Sequence, residues 1–167
     1  VNKIKINDFG IIAEFKRRSP SKKDINSSLS VSKVAKEYED AGVSGMSVLT
    51  DGKYFSGSLE DLILSRSIIS LPLLRKDFVI DEYQIIEAKA NGADVILLIA
   101  AILSRNEIKN FSSLANNLGL EVLLEVHNLE EIQKSIMPTI DLFGVNNRNL
   151  KTFEVSLETS RSLAEKI

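Results

Sequence analysis

Glu14 and Lys16 set a carboxylate and an ammonium two residues apart in the stretch Ile11-Ile12-Ala13-Glu14-Phe15-Lys16-Arg17-Arg18-Ser19-Pro20-Ser21. If the apolar part of this stretch is a strand, side chains alternate between its faces and both charges point the same way. Such a pair is costly to bury without a partner or a task. It reads either as an internal ion pair or as part of an acid–base site. Similar groups recur in the same setting: Lys76 after Leu73-Leu74-Arg75, Glu125 after Val122-Leu123-Leu124, and Asn146-Asn147-Arg148 after Leu142-Phe143-Gly144-Val145. Charged or amide residues at the ends of several strands form a constellation rather than a scatter. Two carboxylates and two lysines in a water-poor mouth suit proton transfer, because crowded cations and desolvation push a lysine down while an apolar wall pushes a glutamate up. Arg148 adds a planar fork for a carboxylate or phosphate. Phe15, Phe55 and Phe78 could wall in a flat ring, although alternation turns Phe15 toward ordinary packing.

Elements that can position these groups are legible along the chain. Apolar β-type runs at 11–15, 45–50, 72–75, 93–99, 121–126 and 141–145 alternate with helical patterns near 31–41, 58–68, 81–91, 104–118, 128–135 and 155–166. Val34, Tyr38 and Ala41 recur at helical spacing, with Lys33, Lys36, Glu37 and Glu39 opposite them. Ser104 and the Asp81-Glu82 pair mark helix starts, and Gly42, Gly92 and Gly119 mark helix ends. Asp94-Val95-Ile96-Leu97-Leu98-Ile99 is apolar on both faces, as expected of a parallel strand covered by helices. Repeated strand–helix units imply a doubly wound sheet or a (β/α)8 barrel. No Gly-x-Gly-x-x-Gly follows the first strand, which disfavours a dinucleotide-binding sheet. In a barrel, the C-terminal strand ends converge on one mouth, where active sites are built.

Bulk properties narrow the classes further. The 167 residues carry a formal net charge of −2 and are 44% hydrophobic, which fits one globular domain over 1–167 and calls for neither nucleic acid nor an anionic membrane. With no cysteine and a single histidine, thiolate catalysis and Cys- or poly-His metal sites drop out. No apolar run reaches the ~20 residues of a membrane span, and no signal peptide is visible, so a cytoplasmic enzyme or binding domain is expected. His127 reads as a bystander at the rim, since no serine nucleophile pairs with it. Ser56-Gly57-Ser58 reads as an anion nest or a helix-capping turn. Asp51 and Asp77 lack the further carboxylates that a cation site needs.

Several long motifs, in order, resemble the indole-3-glycerol phosphate synthase family of tryptophan biosynthesis. They run Ile12 to Ser21, Ser47 to Ser58, Leu74 to Gln84, Gly92 to Ile99, Leu123 to His127 and Gly144 to Leu150. The resemblance implies a (β/α)8 TIM barrel that closes the ring of 1-(2-carboxyphenylamino)-1-deoxyribulose 5-phosphate, releasing carbon dioxide and water. It implies Lys76 as the general acid on the substrate carbonyl and Glu125 as the partner acid or base in dehydration. Glu14 and Asn146 would assist and hold the geometry. Lys16 and Arg148 would meet the substrate's anionic groups, Ser21 would bind the substrate, and Phe55, Phe78 and Leu97 would line the ring pocket. No cofactor, metal, nucleic acid or membrane is implied.

The sequence departs from the family in three places. Only about six βα units are present, against eight in the family. The chain begins almost at the first strand, where relatives carry a helical extension. Lys22-Lys23-Asp24 also stands where a glycine is usual after Ser-Pro-Ser. Two more strands would supply the phosphate grip, so the expectation is a weakly active or inactive chain. Its unpaired barrel edges are expected to favour self-association. Competing expectations are another phosphosugar barrel, such as phosphoribosylanthranilate isomerase, and a non-catalytic barrel fragment that serves only folding or association.

Overall fold

The computed structural model describes residues 2–5, 9–25, 27–149, 152 and 154–167. Leu150, the last residue of the last resembling motif, lies outside them. A one-turn helix, α1 (Asn2–Lys5), precedes β1 (Ile12–Phe15), α2 (Val31–Asp40), β2 (Gly45–Leu49), α3 (Gly52–Phe55) and α4 (Leu59–Ile68). Then follow β3 (Leu73–Lys76), α5 (Glu82–Ala90), β4 (Val95–Ile99), α6 (Arg105–Asn117), β5 (Glu121–Val126), α7 (Leu129–Ser135), β6 (Leu142–Val145) and α8 (Glu158–Ala164). The six strands form one parallel sheet in chain order, β1 to β6. Parallel neighbours need crossover connections, and the amphipathic helices supply them.

Strand alternation divides the interior into two layers. Phe15, Met46, Val48, Leu73, Ile96, Leu98, Val122 and Leu124 form the main core with the helices. Leu74, Val95, Leu97 and Ile99, with Leu123 against them, pack on the opposite, concave face. That face curls far enough for Ile12 of the first strand and Leu142 of the last to line one cavity, which Ile4 of α1 also lines. At the other end, Arg148 after β6 donates to Ser21 Oγ after β1 over 3.3 Å. The architecture is a partial TIM-type barrel.

Local chemistry explains where the elements stop. Asp81 and Ser104 each form a capping box, with Gln84 and Glu107 respectively. Element bounds shift by one to three residues at several places, and two of these shifts and one added helix have a local cause. Lys76 is the last residue of β3 rather than the residue after it, because Leu49 and Lys76 pair in register. Strand β4 starts at Val95, since the Asp94 side chain is occupied as an acceptor for the Leu73 amide at 2.9 Å and for Arg66. The short helix α3 was not expected; Asp51 caps it by accepting from the Tyr54 amide at 2.6 Å.

Ser56-Gly57-Ser58 resolves as a close-packed capping turn. A Cβ on Gly57 would sit 2.0 Å from the Leu49 carbonyl oxygen, and the Gly57 amide donates to the Asp51 carbonyl at 2.9 Å. Ser58 caps α4 by accepting from the Asp61 amide. Glycine is required by this backbone approach alone.

Candidate active site

Because Phe15 faces the helices, Glu14 and Lys16 face the concave interior, as alternation demands. Lys76 reaches the same place from β3. Its Nζ lies 2.7 Å from Glu14 Oε2, while the Lys16 ammonium donates to Glu14 Oε1. One carboxylate therefore accepts from two cations, one just past β1 and the other at the end of β3. Burial would push the Glu14 carboxyl up, but the charge of Lys76 and the hydrogen bonds from Lys16 and Lys76 outweigh it, and the net direction is down. This corrects the expectation that an apolar wall raises it: the wall is there, and the two ammonium groups win.

Across the interior, β5 and β6 carry a second polar group. Asn146 Nδ2 donates to Glu125 Oε1 at 2.9 Å, and Asn146 Oδ1 accepts from the Arg148 amide at 3.0 Å. The amide thus links the β5 carboxylate to the loop that carries the arginine. Arg148 in turn reaches Ser21, joining the loops after the first and last strands. Among the described residues, no hydrogen bond joins the Glu14–Lys16–Lys76 group to the Glu125–Asn146 group. Both groups stand at the C-terminal ends of strands in the one parallel sheet.

Apolar walls come from both sides of this mouth. Leu97 is buried on the concave face. The rings of Phe55 and Phe78 lie 6.3 Å apart, brought together from the segments after β2 and β3, and Tyr54 meets Phe78 edge-on. Phe78 is 38% exposed, so its ring is only partly covered by these neighbours. Phe15 is core, with the Arg17 guanidinium 5.0 Å above its ring.

Several supports were not legible beforehand. Arg17 grips Asp61 at the start of α4 through two bonds, at 2.5 and 2.8 Å, and so ties the loop after β1 to that helix. Arg75 is buried behind β3, where it meets Thr50, Asp77, Glu87 and the Gln84 carbonyl. Asp77 is thereby committed to Thr50 and Arg75, and Asp51 to its cap. Ser47, opposite Glu14 in register, presents a buried hydroxyl with no hydrogen-bond partner to the concave side. Period-two alternation around Met46 and Val48 could have marked it. The half-buried His127 ring lies between Glu125 and Glu131 and lines a cavity with Asn128 and Leu129.

This geometry can be set beside known proteins. The model of the family "Indole-3-glycerol phosphate synthase" matches residues 2–167. The chain belongs to the indole-3-glycerol phosphate synthase family. A family member from Neisseria meningitidis serogroup B is 50% identical over 161 residues, covering 96% of this chain and 62% of the relative. One from Bacteroides thetaiotaomicron is 49% identical over 158 residues, covering 95% and 60%. The chain spans about three fifths of the length of the curated relatives it matches. Among solved structures, a truncated 3-deoxy-D-arabino-heptulosonate 7-phosphate synthase from Thermotoga maritima superposes with a TM-score of 0.59 at 17% identity, covering 94% of this chain and 60% of that one. At that identity the likeness concerns the fold, which is the one seen here. No helix among the described residues is long and apolar enough to cross a membrane.

Proposed function

We propose that this chain carries the acid–base half of an indole-3-glycerol phosphate synthase site. The observation that carries the reading is the meeting of Lys76 and Glu14 at 2.7 Å in the barrel mouth, from positions 62 residues apart. The substrate is 1-(2-carboxyphenylamino)-1-deoxyribulose 5-phosphate. Lys76 donates a proton to its carbonyl oxygen as the aromatic carbon bearing the carboxylate attacks, and carbon dioxide leaves from that carbon. Glu125 then serves as the acid or base for loss of the hydroxyl as water. Glu14 holds the Lys76 ammonium in place, and Asn146 holds the Glu125 carboxyl. Lys16, Arg148 and Ser21 meet the anionic groups, while Phe55, Phe78 and Leu97 take the ring.

A carboxylate paired to two lysines suits this order of events. The Lys76 proton stays oriented by Glu14 until a stronger acceptor develops on the substrate. We place this reaction in the cytoplasm, on a single domain whose two barrel edges also let it self-associate. The test is indole fluorescence from product, measured together with released carbon dioxide. Lys76→Met is expected to cut turnover by roughly 10²-fold or more. Turnover unchanged by Lys76→Met, or substrate consumed without carbon dioxide, would overturn the reading.

A further inference from the structure

The sole histidine lies in a line of polar groups that the proposed chemistry has so far used only in part. His127 Nδ1 is 3.2 Å from Glu131 Oε2, and that same oxygen accepts the His127 backbone amide at 2.8 Å. Glu131 Oε1 accepts from Asn128 Nδ2 at 2.9 Å, which locks the carboxylate at the start of α7. His127 Nε2 points the other way, 3.5 Å from Glu125 Oε1, and has no hydrogen-bond partner although it is buried. Glu125 Oε1 is also the atom that Asn146 holds. Glu158 of α8 also lines the cavity beside His127 and is itself paired with Arg161.

An ionised carboxylate can only accept hydrogen bonds. Glu131 therefore requires a proton on Nδ1, and a neutral ring must then offer its lone pair at Nε2. That lone pair faces Glu125 inside a buried site, where two acceptors side by side are unfavourable unless a proton lies between them. We propose that His127 is a positioning residue for Glu125: Glu131 sets its tautomer, and the bare Nε2 accepts a hydrogen bond from the O–H that Glu125 carries after collecting a proton. The inference rests on the acid–base reading of Glu125 and adds a third member to it. When Glu125 takes a proton from the substrate, its new O–H donates to Nε2. When the substrate hydroxyl leaves as water, the proton passes back through Glu125, and Nε2 again offers only its lone pair. A gap of 3.5 Å closes by a few tenths of an ångström in such a bond, as loose acid–base contacts in free enzymes commonly do.

With one imidazole in the chain, the test is direct. Nitrogen-15 spectra of the folded chain at neutral pH should show the proton on Nδ1 and a bare Nε2. Glu125→Gln should move the Nε2 resonance, because the new amide N–H faces it, and should leave Nδ1 in place. A proton on Nε2, or an Nε2 signal indifferent to Glu125→Gln, overturns the proposal whatever Glu125 does in catalysis. In turnover, His127→Gln should lower kcat roughly tenfold or more with KM within about twofold, and should cost nothing further once Glu125→Gln is present. Full additivity of the two substitutions overturns the proposal. Undiminished activity in Glu125→Gln alone instead overturns the assignment of Glu125.

Discussion

Glu14 is the residue on which the β1–β3 side of the mouth depends, since it neutralises Lys16 and Lys76 at once. Removing its charge leaves two ammonium groups facing each other in a partly desolvated space. Glu14→Gln should therefore destabilise the fold at neutral pH by about 1–3 kcal/mol, read from chemical denaturation. The acid limb gives an independent check. The folded Glu14 carboxyl lies below its ordinary 4.5, so the folded chain binds that proton less readily than the unfolded one. Its stabilisation is whole above about pH 4.5 and disappears as pH falls through the lower, folded value. Glu14→Gln should flatten the acid side of a stability-against-pH curve. A curve with an unchanged acid limb would show that the two lysines do not hold this carboxylate. The residue types and the period-two spacing announced an ion pair or a site at Glu14. That the same carboxylate serves a lysine from β3 depends on sheet order, which spacing along one strand does not contain.

At the scale of elements, the strands and main helices follow from hydrophobic periodicity, and their ends follow from caps that act within three or four residues. The segment between β2 and α4 shows where that logic stops. Its conformation depends on Gly57 passing against the Leu49 carbonyl and on Arg17 reaching Asp61 from the loop after β1. Gly57→Ala should cost at least about 1–3 kcal/mol, since a methyl group cannot share the space of a backbone oxygen. The measurement is a denaturation midpoint, and a shift near zero would mean that the turn relaxes freely. Asp61→Ala should lower stability by a similar amount, about 1–3 kcal/mol, by leaving the Arg17 guanidinium without its carboxylate. Ser47 belongs to the same lesson. Its inward direction was available from alternation, but its lack of a partner depends on the sheet, where its register neighbours are Leu74 and a Glu14 already paired with two lysines.

For the whole molecule, the open question of sheet or barrel is decided by curl. Right-handed strand twist, accumulated over six parallel strands, brings Ile12 and Leu142 to one cavity and Arg148 to Ser21. The described strands nonetheless end in β1 and β6 without a further strand on either outer side. Under the self-association proposed for this chain, pairing at strand edges should give an average sedimentation mass that rises with concentration. A monomer at all concentrations would count against association through these edges. The interior itself should be robust where it faces the helices. Leu98→Ala, in a fully buried position of β4, is expected to cost about 2–5 kcal/mol in the denaturation midpoint.

The sequence by itself determined what short-range physics controls: the alternating strands and helices, their capped ends, the lack of a cysteine-based site, and a set of charged residues at the strand ends. Its ordered motifs also pointed to the family to which the chain belongs. Tertiary structure decided which of those charges meet. Glu14 takes Lys76 as well as its neighbour Lys16, His127 sits between two carboxylates, and Arg148 closes onto Ser21. Periodicity depends on neighbours a few residues apart, whereas these contacts depend on strand order, register and curl, which fix distances between residues far apart in the chain.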